Sequence, residues 1–263
     1  MCELLGVCVE HPVRLRLGWE EFALRASHTD SNPDGWGVAY GAHRDVLLLR
    51  EPGPAAESPM VKFLARHAPV SKLIISHVRR ATTGALTLEN TQPFVRYLAG
   101  RAHVFAHNGY VPDIKIPTGN ACLRPVGETD SERLFALLLT DMEPLWRNGT
   151  PPLSERLSAV EHFARRLRER GALNFLYGDG ETLFAHGHRH TVPGETITDD
   201  PGLYVLERHA VDGGGGNTPC RGLACDGGKG FQAIVATMQL DDQPWMPLAC
   251  GEIACFEQGR RVR

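Results

Sequence analysis

Three features of the sequence predict an α+β fold on mainly antiparallel sheets: strand-like segments gathered toward both ends, two long helices between them, and no alternating βα order. That order disfavours a Rossmann-type fold. The first strand signal is DGWGVAY at 34–40, followed by a turn and the apolar run VLLLR at 46–50, which together read as a hairpin. Pro59 then precedes Met60, Phe63, Leu64 and His67, a spacing of three and four that predicts a short helix, and KLIISHV at 72–78 returns to strand. HVFAHNG at 103–109 is a further strand. Thr129-Asp130-Ser131-Glu132 has the spacing of a capping box and opens a helix through Leu134, Leu137, Leu138 and Leu145. A second helix follows two prolines, carries Leu153, Leu157, Val160, Ala164 and Leu167 on one face, and stops at Gly171. ALNFLYG and ETLFAHG around Asp179-Gly180 predict a hairpin with a type I′ turn. GLYVLER at 202–208, FQAIVAT at 231–237 and EIACFEQ at 252–258 complete the strands, and the glycines at 213–216 read as a mobile loop.

The composition fits a globular chain. Of 263 residues, 42% are hydrophobic and 22% charged, so a disordered or fibrous protein is excluded. The net charge of −3 provides no electrostatic footprint for nucleic acid or an anionic membrane. No apolar run approaches the roughly 18 residues of a membrane helix, and the first residues lack the pattern of a secretory signal, so the expected location is the cytoplasm. Cysteines at 2, 8, 122, 220, 225, 250 and 255 make an odd number in a chain too long to need disulfide staples, which predicts free thiols. With no internal repeat and no composition shift, residues 1–263 are expected to form a single domain.

Four places carry candidate chemistry, each with a structural alternative. Removal of Met1 would leave Cys2 with its own α-amine, which titrates at about 7.7–8.0, beside its thiol, so one residue would hold nucleophile and base; the alternative is a buried cysteine at the start of a strand. HVRRATTG at 77–84 ends a strand in two arginines whose planar forks suit a carboxylate, or which are simply solvated. AHNGY at 106–110 reads as a tight turn, or as an Asn amide and a Gly N–H forming an oxyanion hole. Asp130 is explained by helix capping alone.

Taken together, these segments form a pattern. Cys2, the string His77 to Gly84, Asn90-Thr91-Gln92-Pro93-Phe94, His107-Asn108-Gly109 and Gly127 to Glu132 stand in the order and approximate spacing of class II glutamine amidotransferases. The sequence resembles that family of N-terminal-nucleophile hydrolases, and the similarity extends to DGWG at 34–37, NFLYGDG at 174–180 and the tail at 235–256. It is most similar to the small stand-alone bacterial members. The resemblance implies a four-layer αββα sandwich, with two antiparallel sheets face to face between helices. It implies that Cys2 attacks the side-chain amide of glutamine, forms a γ-glutamyl thioester and releases ammonia, before water frees glutamate. Asn108 and the Gly109 N–H would stabilise the oxyanion. Arg79 would pair with the substrate α-carboxylate and Asp130 with its α-ammonium group, while Thr82 or its neighbours would line the pocket. Met1 would be removed, and no cofactor or metal would be needed. The departures are Gln92, where related sequences usually have His, Arg80, at a position often aromatic or amide-bearing, and Met238-Gln239-Leu240 near the end.

The expected partners are glutamine or another γ-glutamyl amide and an ammonia-accepting synthase on a separate chain, without nucleic acid or membrane. Two alternatives remain at this level: a hydrolase of a different γ-glutamyl amide, and a non-catalytic glutamine-sensing or regulatory subunit. His186, His188 and His190 share one face of a strand, and Cys220/Cys225 and Cys250/Cys255 repeat one gap, but neither spacing makes a convincing metal site.

Overall fold

The computed structural model describes residues 2–17, 34–80, 84–116, 123–190, 198–211 and 223–263. Its first element was not distinct in the sequence. Strand β1 (Glu3–Leu17) is the longest in the chain. Leu4, Leu5, Val7, Cys8 and Val9 are all buried, so both faces are apolar and the period-2 alternation that announces a half-exposed strand is missing. A bulge between Cys8 and Val13 accommodates Pro12.

The elements expected from the sequence form close to their predicted places, and several further short strands join them. β2 (Gly35–Ala42) and β3 (Asp45–Glu51) form the expected hairpin, helix α1 (Pro59–His67) is capped by Ser58, and β4 (Val70–Arg79) follows. β5 (Phe94–Leu98) and β6 (Arg101–Tyr110) form a second hairpin. Helices α2 (Asp130–Trp146) and α3 (Leu153–Leu167) precede β7 (Ala172–Gly178) and β8 (Thr182–His186). β9 (Arg189–His190) pairs with β10 (Thr198–Pro201), and β11 (Tyr204–Ala210), β12 (Leu223–Asp226), β13 (Gly230–Ala236), β14 (Met246–Pro247), β15 (Ile253–Glu257) and β16 (Arg260–Arg261) complete the chain. The hairpin at 178–183 forms with a different turn. Asp179 N–H donates to the Thr182 carbonyl, so Gly180 and Glu181 are the central pair and Asp179 is the first residue of the turn. Asp179 instead turns its carboxylate inward to Arg156 at 2.6 Å and accepts the backbone N–H groups of Glu181 and Thr182. The glycines at 213–216 lie outside the described residues.

One sheet has the order β14-β11-β13-β1-β4-β2-β3, with β12 on β1, and the other has the order β16-β15-β8-β7-β6-β5. Every strand pairing among the described residues is antiparallel. Strand alternation divides the apolar side chains into three packed layers. Leu5, Val7, Trp36, Val38 and Ile74 face outward from the first sheet onto Val61 and Leu64 of α1. Phe105, Phe175, Tyr177 and Phe184 face outward from the second sheet onto α2 and α3. Leu4, Cys8, Ile75, Ala106, Leu176 and Leu183 fill the space between the sheets. The result is the four-layer αββα arrangement, with the thinner helical layer on the β1 sheet.

Candidate active site

Residues at one end of the inter-sheet layer bring Cys2 and Asn108 together. Cys2 precedes β1 and continues the inward-facing positions of Leu4 and Cys8, while Asn108 on β6 continues those of Val104 and Ala106. Asn108 Nδ2 donates to the Cys2 carbonyl at 2.7 Å, joining residues 106 positions apart. The Cys2 thiol is held from the other side by Arg80, whose N–H donates to Sγ at 3.2 Å and whose carbonyl lies 3.3 Å from Sγ. Burial pushes the thiol above its ordinary value, and the Arg80 N–H and Arg79 oppose that shift.

Gly109 adopts φ +147°, and a Cβ there would stand 2.1 Å from the Ala172 carbonyl oxygen, so only glycine fits where β6 passes β7. Asp130, the first residue of α2, accepts the Val111 N–H at 2.9 Å and is thereby tied to the segment just after Gly109. Arg79 ends β4, is only 4% exposed, and donates to the Gly84 and Ala85 carbonyls. Burial lowers its pKa, with the Cys2 thiol and Asp34 acting in the opposite sense, so the guanidinium and the thiol sit within electrostatic reach. Thr82 lies outside the described residues, as does Met1.

The surrounding sequence motifs have visible reasons. In DGWG, Trp36 packs outward and donates to Glu51, while Gly35 and Gly37 face inward. A Cβ on Gly37 would come within 2.3 Å of the Gln92 carbonyl, so the glycine lets the 90–93 segment cross the sheet. Gln92 uses its side-chain amide as a strand substitute: Oε1 accepts the His107 N–H at 2.7 Å and Nε2 donates to the His107 carbonyl at 3.1 Å. β5 pairs only with residues 101–105 of β6, so Gln92 extends the ladder toward the site. Asn90 ties Ala85 to Glu128, and Glu132 accepts the Val126 and Gly127 N–H groups and pairs with Arg96. Thr129 caps α2 as expected, but Glu132 reaches these earlier amides in place of its own cap residue.

His107 belongs to the opposite face. Its Nε2 donates to the Ala172 carbonyl, which leaves Nδ1 to accept the Ser131 hydroxyl at 3.0 Å; burial lowers its pKa despite Asp130 4.0 Å away. His77 is buried beside Gln92, and burial pushes its imidazole down to about 3. His186 donates to the Leu173 carbonyl and stacks on Phe175. Among the described residues no cluster of three or more His, Cys, Asp and Glu side chains could hold a metal ion. Cys2, Cys8, Cys225, Cys250 and Cys255 are free thiols, and Cys122 and Cys220 lie outside the described residues. No described helix is long and apolar enough to cross a membrane. Asn174, within the NFLYGDG motif, carries no functional signal in the sequence, and the structure puts it in register with Asn108.

The fold is a four-layer sandwich with a cysteine at the start of a central strand, and comparison with known proteins fixes the family. Residues 1–210 match the model of class II glutamine amidotransferases, and the chain belongs to that family. A Haemophilus influenzae protein assigned as a glutamine amidotransferase is 34% identical over 186 residues, and the match spans 71% of this chain and 63% of that protein. The protein YafJ of Escherichia coli, assigned likewise, is 33% identical over 71% of this chain and 72% of its own length. The crystal structure of a predicted glutamine amidotransferase from Pseudomonas aeruginosa superimposes over the whole of both chains with a TM-score of 0.68 and 25% identity. The phosphoribosylpyrophosphate amidotransferase of Bacillus subtilis shares the fold, with a TM-score of 0.59 at 15% identity over 99% of this chain and 48% of that one.

Proposed function

We propose that this protein hydrolyses the side-chain amide of glutamine with Cys2 as nucleophile after removal of Met1, and that residues 1–263 act as one glutaminase domain. The observation that carries the reading is the meeting of Cys2 and Asn108, with the thiol held by the Arg80 N–H and Gly109 next to Asn108. In this reaction Cys2 Sγ bonds to the glutamine Cδ, its proton passes to the α-amine of Cys2, and the carbonyl becomes an oxyanion facing Asn108 Nδ2 and the Gly109 N–H. The C–N bond breaks, the amine returns the proton to the leaving group, and ammonia departs from a γ-glutamyl thioester. Water then attacks the thioester and releases glutamate and the thiol. Burial raises the thiol pKa, and a base beside the sulfur would offset that by taking its proton.

Arg79 takes the α-carboxylate and Asp130 the α-ammonium group, with Thr82 in the pocket wall, so two charges fix the distance from substrate head to scissile amide. Because Arg79 donates to Gly84 and Ala85, carboxylate binding is linked to that segment. The ammonia is proposed to pass to a synthase partner. The test is labelling with 6-diazo-5-oxo-L-norleucine followed by peptide mass mapping, alongside ammonia release from glutamine and from γ-glutamyl amides. The expected result is modification at Cys2 alone, on chains lacking Met1, with glutamate and ammonia formed in equal amounts. Label chiefly on Cys8, Cys225 or Cys250 would sink the reading.

A further inference from the structure

Asn174 is buried on β7, on the inter-sheet face, directly opposite Asn108. Its side chain makes three hydrogen bonds, all to backbone. Nδ2 donates to the Asn108 carbonyl at 3.2 Å and to the Arg189 carbonyl at 2.8 Å, and Oδ1 accepts the His188 N–H at 2.7 Å. Two carbonyls and one N–H leave a single orientation for the amide, because carbonyls only accept and the N–H only donates. Packing holds the group as well: a Cβ on Gly202 would fall 1.7 Å from Asn174 Oδ1, so the neighbouring chain leaves room for this side chain and no more.

The Asn108 carbonyl belongs to the same planar peptide unit as the Gly109 N–H, and in a trans peptide the two point in opposite directions. Fixing one therefore aims the other. The β6/β7 ladder holds this unit near its end, since the pairing runs only as far as Tyr110 opposite Ala172, and the side-chain bond from Asn174 adds a restraint there. We infer that Asn174 is a positioning residue that sets the Asn108–Gly109 peptide plane and so points the Gly109 N–H at the developing oxyanion. This rests on the glutaminase reading of the site and adds to it a residue that touches neither substrate nor sulfur. It also joins the β6/β7 ladder to the 188–189 segment, so the aim of the donor depends on a segment remote from Cys2 in sequence.

The test uses the full chain carrying Asn174→Asp, which keeps shape and the acceptor for His188 but cannot donate to Asn108. Asn174→Ser, which is uncharged and too short to reach, is read in parallel in case the aspartate disturbs folding. Glutamine hydrolysis should lose about 10–100-fold in kcat, less than outright removal of an oxyanion donor, while KM stays within about twofold. L-Glutamate γ-semialdehyde, which adds the Cys2 thiol to form a thiohemiacetal with its oxygen in the donor site, should bind more weakly by a similar factor. Glutamate itself should bind unchanged, a split that a merely structural role would not produce. Wild-type kcat and aldehyde affinity in a folded variant, or equal losses for aldehyde and glutamate, would overturn the inference. Wild-type protein with neither amide turnover nor Cys2 labelling would overturn the glutaminase reading, and the inference with it.

Discussion

At the scale of single residues, the site depends on what each side chain is bonded to before substrate arrives. Arg79 uses two nitrogens of its planar fork on the adjacent carbonyls of Gly84 and Ala85, a geometry that an ammonium cannot reproduce. Arg79→Lys should therefore raise KM for glutamine about tenfold or more, in line with a lost bidentate contact of about 1.5–3 kcal/mol, and leave kcat at saturation much less affected. Initial-rate kinetics check this, and equal KM values in a folded variant would remove Arg79 from the carboxylate site. Ordered motifs in the sequence single out Cys2, Asn108, Gly109, Arg79 and Asp130, and of these the structure joins Cys2 to Asn108 by a direct hydrogen bond. They do not single out Asn174, since an asparagine inside an apolar strand reads as a core position until its three backbone partners are seen.

At the scale of elements, the helices and the hairpins were legible for separate reasons. α2 was announced by Thr129, whose side chain accepts the Glu132 N–H at 3.3 Å. Thr129→Ala should cost about 1 kcal/mol, as loss of an N-cap does, and because the capped turn holds Asp130 the loss should appear in both the denaturation midpoint and KM. Urea unfolding with parallel kinetics measures it. The β7/β8 hairpin is legible in its apolar strands, but its turn falls one residue later than the Asp-Gly pair predicts. The Asp-Gly signal assumes that Asp179 is exposed, whereas Arg156 draws it inside. β1 shows no alternation in the sequence because both of its faces are buried, so its length is visible only in the structure. Gln92 shows a similar limit: in the sequence it is only a departure from the family pattern, yet its amide does the work of a backbone pair.

At the scale of the whole molecule, burial of neutral histidines sets the acid limit of stability. Burial pushes His77 and His103 down to about 3 and His186 to about 4, all below the unfolded value of about 6.5. The unfolded chain thus binds more protons as pH falls below about 6.5, and stability declines at about 1.4 kcal/mol per pH unit for each such histidine. Glu3 acts in the other direction, since burial raises it to about 7 and its contribution is lost as pH rises from about 4.5 to 7. Thermal melts from pH 4.5 to 8 should show a falling midpoint on the acid side, and Glu3→Gln should raise the midpoint at pH 8. A flat acid limb would mean that the histidines are solvated. The position of β1 between β4 and β13 has one further consequence, for the timing of folding. Leu4 donates to Thr237 across 233 positions of sequence, and Leu5 stands opposite Ala236. The strand that follows Cys2 is thus braced on one side by a segment made long after it, a topology of high contact order. A nascent chain holds the Cys2 thiol for most of its synthesis without β13 beside β1, so under the proposed reading its reactivity waits until residues 230–236 have been made.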